Sequence, residues 1–487
     1  MALEIVAGRA LAPYVGMSVY TWTVIIAVVL AGLSLGHWLG GWLADRSARP
    51  SVWVASGLTG AAATSAICLS LLRLAESIAA ATGPVAHTGL LAIAAFFLPS
   101  ALAGVLSPLL TKMALDASPP ERHGRVVGRM FALGAAGAIL GTLLAGLVLI
   151  SWVGTVGSVL LITLIYTLLS VPFWTGRTRT FAVLAFAATC GLAGTLAPQK
   201  LWGSPCREES AYFCIRVDDT RVMGRSARVM ALDHLAHGVN DRDDPLLLLS
   251  PYVHGVDELV RLRLKGRTPS AFFVGGGAYT LPRAWAARWP DARFLVAEID
   301  PAVTRTARDQ FWLGTADGLE AIHEDARAAL SRLPPERHFD VIFGDAFHDI
   351  SVPQHLVTDE FHAQIAARLT LGGVYAMNVV DKLREPRFVL SLARTLRHRF
   401  AHVELWLDVN AIRPVEARTT WIVLASDRPT GRRELSSSTG FSRTWVQVPL
   451  DPMVREVGDH NLVHLTDDFA PVDRLLRDLL LDRALIE

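Results

Sequence analysis

Charged side chains are sparse in the first two hundred residues of this 487-residue chain. Over the whole chain neither sign is in excess: 46 Lys and Arg stand against 45 Asp and Glu. No basic stripe interleaved with aromatics is present either, so the sequence offers no nucleic-acid surface. Cysteine is scarce. Four residues are too few for a disulfide scaffold. Cys68 and Cys190 lie in apolar spans and read as packing residues. Cys206 and Cys214, in "PCREESAYFCIRV", are either a pair, which suits an oxidising compartment, or two separate thiols.

The hydrophobic fraction of 52% conceals a division near Gln199, and the length calls for more than one domain. Before that point the apolar runs are long enough to span a bilayer, which takes about 20 residues. Val19–Ala44 holds no Asp, Glu, Lys or Arg, and its one histidine is His37. Val52–Leu72 and Thr88–Thr111 supply two more spans. Phe131–Phe173, uncharged over 43 residues, reads as two spans turning at "SWVGTVG", and Phe181–Ala197 as a sixth. Small residues in "AGLSLGHWLGGWLA" and "ALGAAGAILGTLLAG" suit close helix contacts. The arginine-bearing loops "DRSARP", "PPERHGRVVGR" and "TGRTRT" are expected to face the cytoplasm. Six spans then leave the remainder extracytoplasmic, on a multi-pass protein of the inner membrane. Met1–Ser18 reads as the tail of a further helix, with Glu4 and Arg9 as an interfacial pair and His37 as a packing histidine.

The later half has ordinary globular patterning. "AYFCIRV" and "ARVMALD" predict a small β unit over 200–265. Over 266–487, strands such as "AFFVGGG", "RFLVAEID", "LEAIHED", "FDVIFGDAF" and "GGVYAMNVV" alternate with helical stretches, followed by "VELWLDV" and "TTWIVLAS". That alternation predicts a parallel sheet covered by helices, a Rossmann-like α/β domain of the S-adenosylmethionine methyltransferase type behind an α-helical membrane domain at 1–199. Ligands of such sheets bind beyond the carboxyl ends of the strands.

Gly275, Gly276 and Gly277 end the first of these strands, where glycine lets backbone approach a ligand. They do not form GxGxxG, so a dinucleotide pyrophosphate is a poor fit. Glu298 ends the second strand, where an acid can hold ribose hydroxyls; Asp325, with Ala326 beside it, ends the third, and Asp345 the fourth. Each acid alone reads as a solvated loop residue or a helix cap. Together they suggest an adenosyl ligand without a diphosphate.

"GGGAYTLPR", "VAEIDP", "HEDAR", "DAFHDISVPQHLVTDEF" and "LTDDFAPVDRLL" resemble the spermidine synthase (polyamine aminopropyltransferase) family, and the chain as a whole resembles its membrane-fused branch. The resemblance covers Tyr212 to about Arg477 and extends to the lead-in "RALAPYVGMSVYTWTVIIAVVLAGLSLGHWLGGWLADR". It implies a transferase that moves an aminopropyl group from decarboxylated S-adenosylmethionine, a co-substrate, to a small-molecule amine, with no prosthetic group and no metal. It implies Asp345 as the residue that orients and deprotonates the amine. Gly275 to Gly277, Glu298, Asp325 and Ala326 would hold the nucleoside, and Tyr252, His237, His348 and Asp349 would face the substrate. A lipid bilayer is the implied partner, nucleic acid is not, and a homodimer fits the family habit.

The sequence departs from the family twice. Soluble members carry an acid directly after the glycines, where this chain has Ala278 and Tyr279, and a second acid after the catalytic one, where His348 stands. Asp349, Glu360, Asp467 and Asp468 are the acids left to compensate. Two other readings follow: a methyltransferase using S-adenosylmethionine, or a non-enzymatic polyamine or nucleoside transporter or sensor.

Overall fold

The computed structural model describes residues 1–79, 82–174, 183, 187, 204–314, 318–348, 350–412 and 418–481. It divides into two compact units, Met1–Cys214 and Ile215–Glu487.

Among the described residues of the first unit, four helical stretches are long and apolar enough to cross a membrane: Val19–Arg46, Pro50–Glu76, Pro84–Asp116 and Pro120–Phe173. The last takes in both spans expected within 131–173. Its helix runs to Val153 and restarts at Gly154, whose φ of 74° interrupts the hydrogen-bond ladder where the sequence suggested a turn. The expected span at 181–197 lies outside the described residues. Val19–Arg46 packs on Leu98–Asp116 through glycine: a Cβ on Gly36 would collide with the Ala101 carbonyl, so the two backbones touch. His37 is exposed on this helix, away from the packed face. Arg9, on helix Ala2–Val15, donates to the carbonyls of Tyr212 (2.7 Å) and Ser210 (3.0 Å). Cys206 and Cys214 form a disulfide around the short strand β1 (Glu208–Glu209).

The second unit opens with the antiparallel strands β2 (Cys214–Val222), β3 (Arg225–Leu232) and β4 (Leu235–Asp241). A large sheet follows, made of β5 (Ser270–Val274), β6 (Arg293–Ala297), β7 (Leu319–Ile322), β8 (Phe339–Gly344), β9 (Leu369–Lys382), β10 (His402–Asp408), β11 (Arg418–Ser426), β12 (Glu434–Ser436) and β13 (Thr444–Val448). Its order is β12-β13-β10-β11-β9-β8-β5-β6-β7. From β7 to β9 every pairing is parallel. The central strands β5 and β6 carry the apolar runs "AFFV" and "FLVA", as burial on both faces requires. Helices 280–288, 301–310, 326–332 and 359–368 supply the crossovers. Beyond β9 the sheet becomes antiparallel, which corrects the expectation of a wholly parallel one. The cause is local: the nine residues 409–417 that join β10 to β11 are too few for a crossover helix, and a strand reached by a short return must run antiparallel. With β5 as the first strand, the series β7-β6-β5-β8-β9 is a doubly wound order, and its switch point lies between β5 and β8.

Candidate active site

The functional candidates stand at that switch point because the ladder continues one residue past the strands. Asp345 donates its N–H to the Val274 carbonyl (2.9 Å), Gly275 to Ala297 (2.9 Å) and Glu298 to Ile322 (3.0 Å). Asp345, Gly275 and Glu298 are therefore lateral neighbours across three adjacent strands. With strands about 4.8 Å apart, the two acids stand roughly 10 Å from one another on either side of the glycine turn.

The turn is tightly fitted. Gly275, at φ 92°, lies so close to Asp345 and Ala346 that a Cβ would come within 2.8 Å of the Asp345 carbonyl oxygen. Gly276 lies on the ring of Tyr279, where a Cβ would collide. Tyr279 is fully buried at φ 53°, and its hydroxyl shares a 2.7 Å hydrogen bond with Thr304. It supports the turn from beneath. The Glu298 carboxylate accepts the N–H of Gly276 (2.8 Å), of Gly277 (3.4 Å) and of Asp300 (3.0 Å). Burial raises its pKa, and these N–H donors oppose the rise.

Asp345 is half-buried. Its Oδ1 accepts Nδ2 of Asn378 at 2.8 Å and its Oδ2 accepts the Tyr252 hydroxyl at 3.2 Å. Loss of water pushes its pKa up to about 6 despite both donors. Tyr252, near the start of helix Pro251–Leu264, is itself held well above the ordinary phenol value by burial and by the Asp345 charge. Asn378 follows Met377, the partner of Gly344 in the β8–β9 register, and so lies beside Asp345. It is 5% exposed, and among the described residues its Oδ1 has no hydrogen-bond partner. Sequence reasoning missed Asn378, yet the signal was there: an amide in the apolar run "VYAMNVV" is costly unless something occupies it.

The other candidates are placed less centrally. Asp325 caps helix Ala326–Arg332, accepting Ala328 N–H (3.0 Å), and pairs with His355 Nε2 at 2.7 Å. The His355 bond, then the cap, lowers its pKa. Among the described residues no hydrogen bond joins it to the glycine turn. Ala326 is buried as the first residue of that helix. His237 presents its carbonyl to Gly277, its Nδ1 lies 2.9 Å from the Leu235 carbonyl, and burial lowers its pKa to about 4. His348 is exposed and bridges to Ser351; Asp349 lies outside the described residues. Asp467 is bound to Arg327 (2.6 Å), and Glu360 accepts Asp467 N–H (3.0 Å). Ala278, at the position of the missing acid, is 1% exposed. A Cβ on Gly238 of β4 would stand 2.5 Å from its own Cβ, and its carbonyl accepts Asn240 Nδ2 at 2.9 Å.

No protein-family model matches the chain. A stretch of 129 residues is 29% identical to the polyamine aminopropyltransferase of Vibrio vulnificus (strain CMCP6), covering 26% of this chain and 42% of that protein. The chain thus spans less than half the length of this curated relative. Similar solved structures include a probable spermidine synthase from Corynebacterium glutamicum ATCC 13032, with a TM-score of 0.45 and 20% identity over 52% of this chain and 93% of that one. Spermidine synthase from Thermotoga maritima superposes with a TM-score of 0.33 and 17% identity, over 44% and 70% of the two chains. The strand order, rather than these superpositions, defines the fold. Over the 129 shared residues the chain is related to the spermidine synthase (polyamine aminopropyltransferase) family.

Proposed function

We propose that the protein is a membrane-anchored aminopropyltransferase that uses decarboxylated S-adenosylmethionine and a small amine. The observation that carries this reading is the Asp345 carboxylate, half-buried, at the switch point beside the glycine turn, with its pKa raised to about 6. The nucleophile arrives as an ammonium, with a pKa near 10.4 for a lysine-like amine. A carboxylate of pKa 6 is ionised at neutral pH and closer to the amine than an ordinary aspartate, so it can both bind the cation and take its proton. In the step itself the amine nitrogen attacks the carbon next to the sulfonium. The carbon–sulfur bond breaks, its electron pair neutralises the sulfur, and methylthioadenosine leaves. Asp345 takes one proton from the bound ammonium before the attack and returns it to solvent afterwards, and the new secondary amine leaves as its ammonium.

The supporting groups follow from the geometry. Glu298 would hold the ribose across the turn, and Asn378 and Tyr252 fix the orientation of the Asp345 carboxyl. The free Oδ1 of Asn378 would take a second N–H of the bound ammonium. The four apolar helices would anchor the domain in the bilayer. Purified full-length protein, given decarboxylated S-adenosylmethionine and a panel of diamines, should release methylthioadenosine, and Asp345→Asn should abolish release. Release that is unaffected by Asp345→Asn refutes the assignment.

The enclosed Ala278 favours a second reading. A donor whose free ammonium meets no acid there need not be the decarboxylated one, so methyl transfer from S-adenosylmethionine is the alternative. S-adenosylhomocysteine as product in place of methylthioadenosine decides for it.

A further inference from the structure

We propose that Asp359, His398 and His464 form a binding site for one divalent transition-metal ion of the zinc class. None of the three belongs to the strand-end site. Each offers one ligand atom, and these atoms lie within 4.8 Å of one another. Two imidazoles and a carboxylate are a donor set suited to zinc and its neighbours, and a poor one for magnesium or calcium, which take oxygen ligands. Ligand atoms about 2.1 Å from a shared ion stand roughly 3.4 Å apart in tetrahedral geometry, so closure asks for a shift of little more than an ångström. The two imidazoles already face each other, with ring centroids 4.2 Å apart at 31°. Among the described residues, Nδ1 of His464 is shut off from solvent without a hydrogen-bond partner.

The scaffold that carries the three side chains is cross-tied at the backbone. On either side of His464, the N–H of Val463 goes to the Ser391 hydroxyl (3.1 Å) and that of Leu465 to Thr395 (3.0 Å). His398 donates its own N–H to the Thr395 carbonyl (3.1 Å), and Asp359 donates to the Leu465 carbonyl (2.8 Å). Three segments far apart in sequence are thus locked within a residue of each ligand, the preorganisation that a metal site needs. Arg399 competes for the same carboxylate: its Nε reaches Oδ1 at 3.0 Å and its Nη2 reaches Oδ2 at 2.5 Å. An ionised carboxylate has about four lone-pair positions, so the ion takes one that Arg399 leaves. Arg399 therefore weakens the site without closing it. A loaded site would clamp the 462–466 segment, which leads directly to the Asp467–Arg327 pair.

The test is titration of full-length protein in detergent, without a polyhistidine tag, using Co2+ for its visible absorption and Zn2+ to displace it. One equivalent should bind. His398→Ala and His464→Ala should each weaken binding by more than the about 10–100-fold that loss of a supporting contact costs. Arg399→Ala should tighten it, and Zn2+ should slow proteolysis within 459–481 of the unsubstituted protein. The assignment is overturned if the His398→Ala/His464→Ala double variant binds as much metal as the original chain. It is equally overturned if Arg399→Ala, folded by circular dichroism, binds less.

Discussion

Asp345→Asn should make the protein more stable at neutral pH while removing its activity. Asp345 is ionised in the unfolded chain above its ordinary 3.8 but only above about 6 in the fold. The fold thus disfavours the charged form. The penalty is absent below about pH 4, grows as pH rises through 6, and is complete above that. A difference of about 2 units corresponds to about 3 kcal/mol at 1.36 kcal/mol per unit, reduced to about 2 kcal/mol because the side chain is only half-buried. Asparagine keeps the shape and both contacts: its oxygen accepts from Asn378, and its amide donates to the Tyr252 oxygen. For a unit of this size, about 2 kcal/mol raises Tm by roughly 4–8 °C. Thermal unfolding of both proteins at pH 7.5 and pH 4.5 measures it. The gain should be full at the higher pH and fall to about a third of that at the lower. A gain that is equal at both, or a loss at pH 7.5, refutes the reasoning that solvent exclusion sets the Asp345 pKa.

Tyr252→Phe removes a donor to the carboxylate, so the Asp345 pKa should rise further. The acidic limb of the kcat/KM profile should then move up by about 1 unit, in keeping with about 1.5 kcal/mol for a hydrogen bond to a charged group; a limb that stays near pH 6 contradicts this. Gly276→Ala should abolish methylthioadenosine release, because its Cβ collides with the Tyr279 ring, whereas Gly276→Ala combined with Tyr279→Ala should restore part of it. Maleimide labelling of denatured but unreduced protein should modify Cys68 and Cys190, with Cys206 and Cys214 reacting only after reduction; labelling of all four beforehand means the disulfide does not form. Gly36→Leu should lower the thermal stability of the helical unit, read by loss of monodisperse protein on heating in detergent, since leucine cannot fit against the Ala101 carbonyl.

What was legible in the sequence follows from period and punctuation. "AFFVGGG" and "FDVIFGDAF" declare buried strands because a strand covered on both faces is apolar throughout, and their final residues mark the ligand end. Gly275, Glu298 and Asp345 were reachable in that way. Contacts between distant segments were not. Asp325 reads as a strand-end acid, yet its partner His355 lies 30 residues on, and nothing local announces the pair. Tyr279 reads only as a residue standing where an acid is expected. Only its left-handed backbone and its bond to Thr304 turn it underneath the glycines. Asn378 shows as an anomaly without a meaning until β8 is placed beside β9. The antiparallel edge depends on a missing crossover helix, and connection length is among the weakest signals in a sequence.

The abutment of Ala278 on Gly238 bears on how this site could change its donor. A carboxylate grafted at 278 would have to pass through the backbone of β4, whose neighbouring Asn240 is already committed to the Ala278 carbonyl and to the Thr280 hydroxyl. Charge at that spot is thus governed by the path of another strand, not by a single codon. Lineages or engineers wishing to swap one sulfonium donor for another would have to move the hairpin first and the acid second.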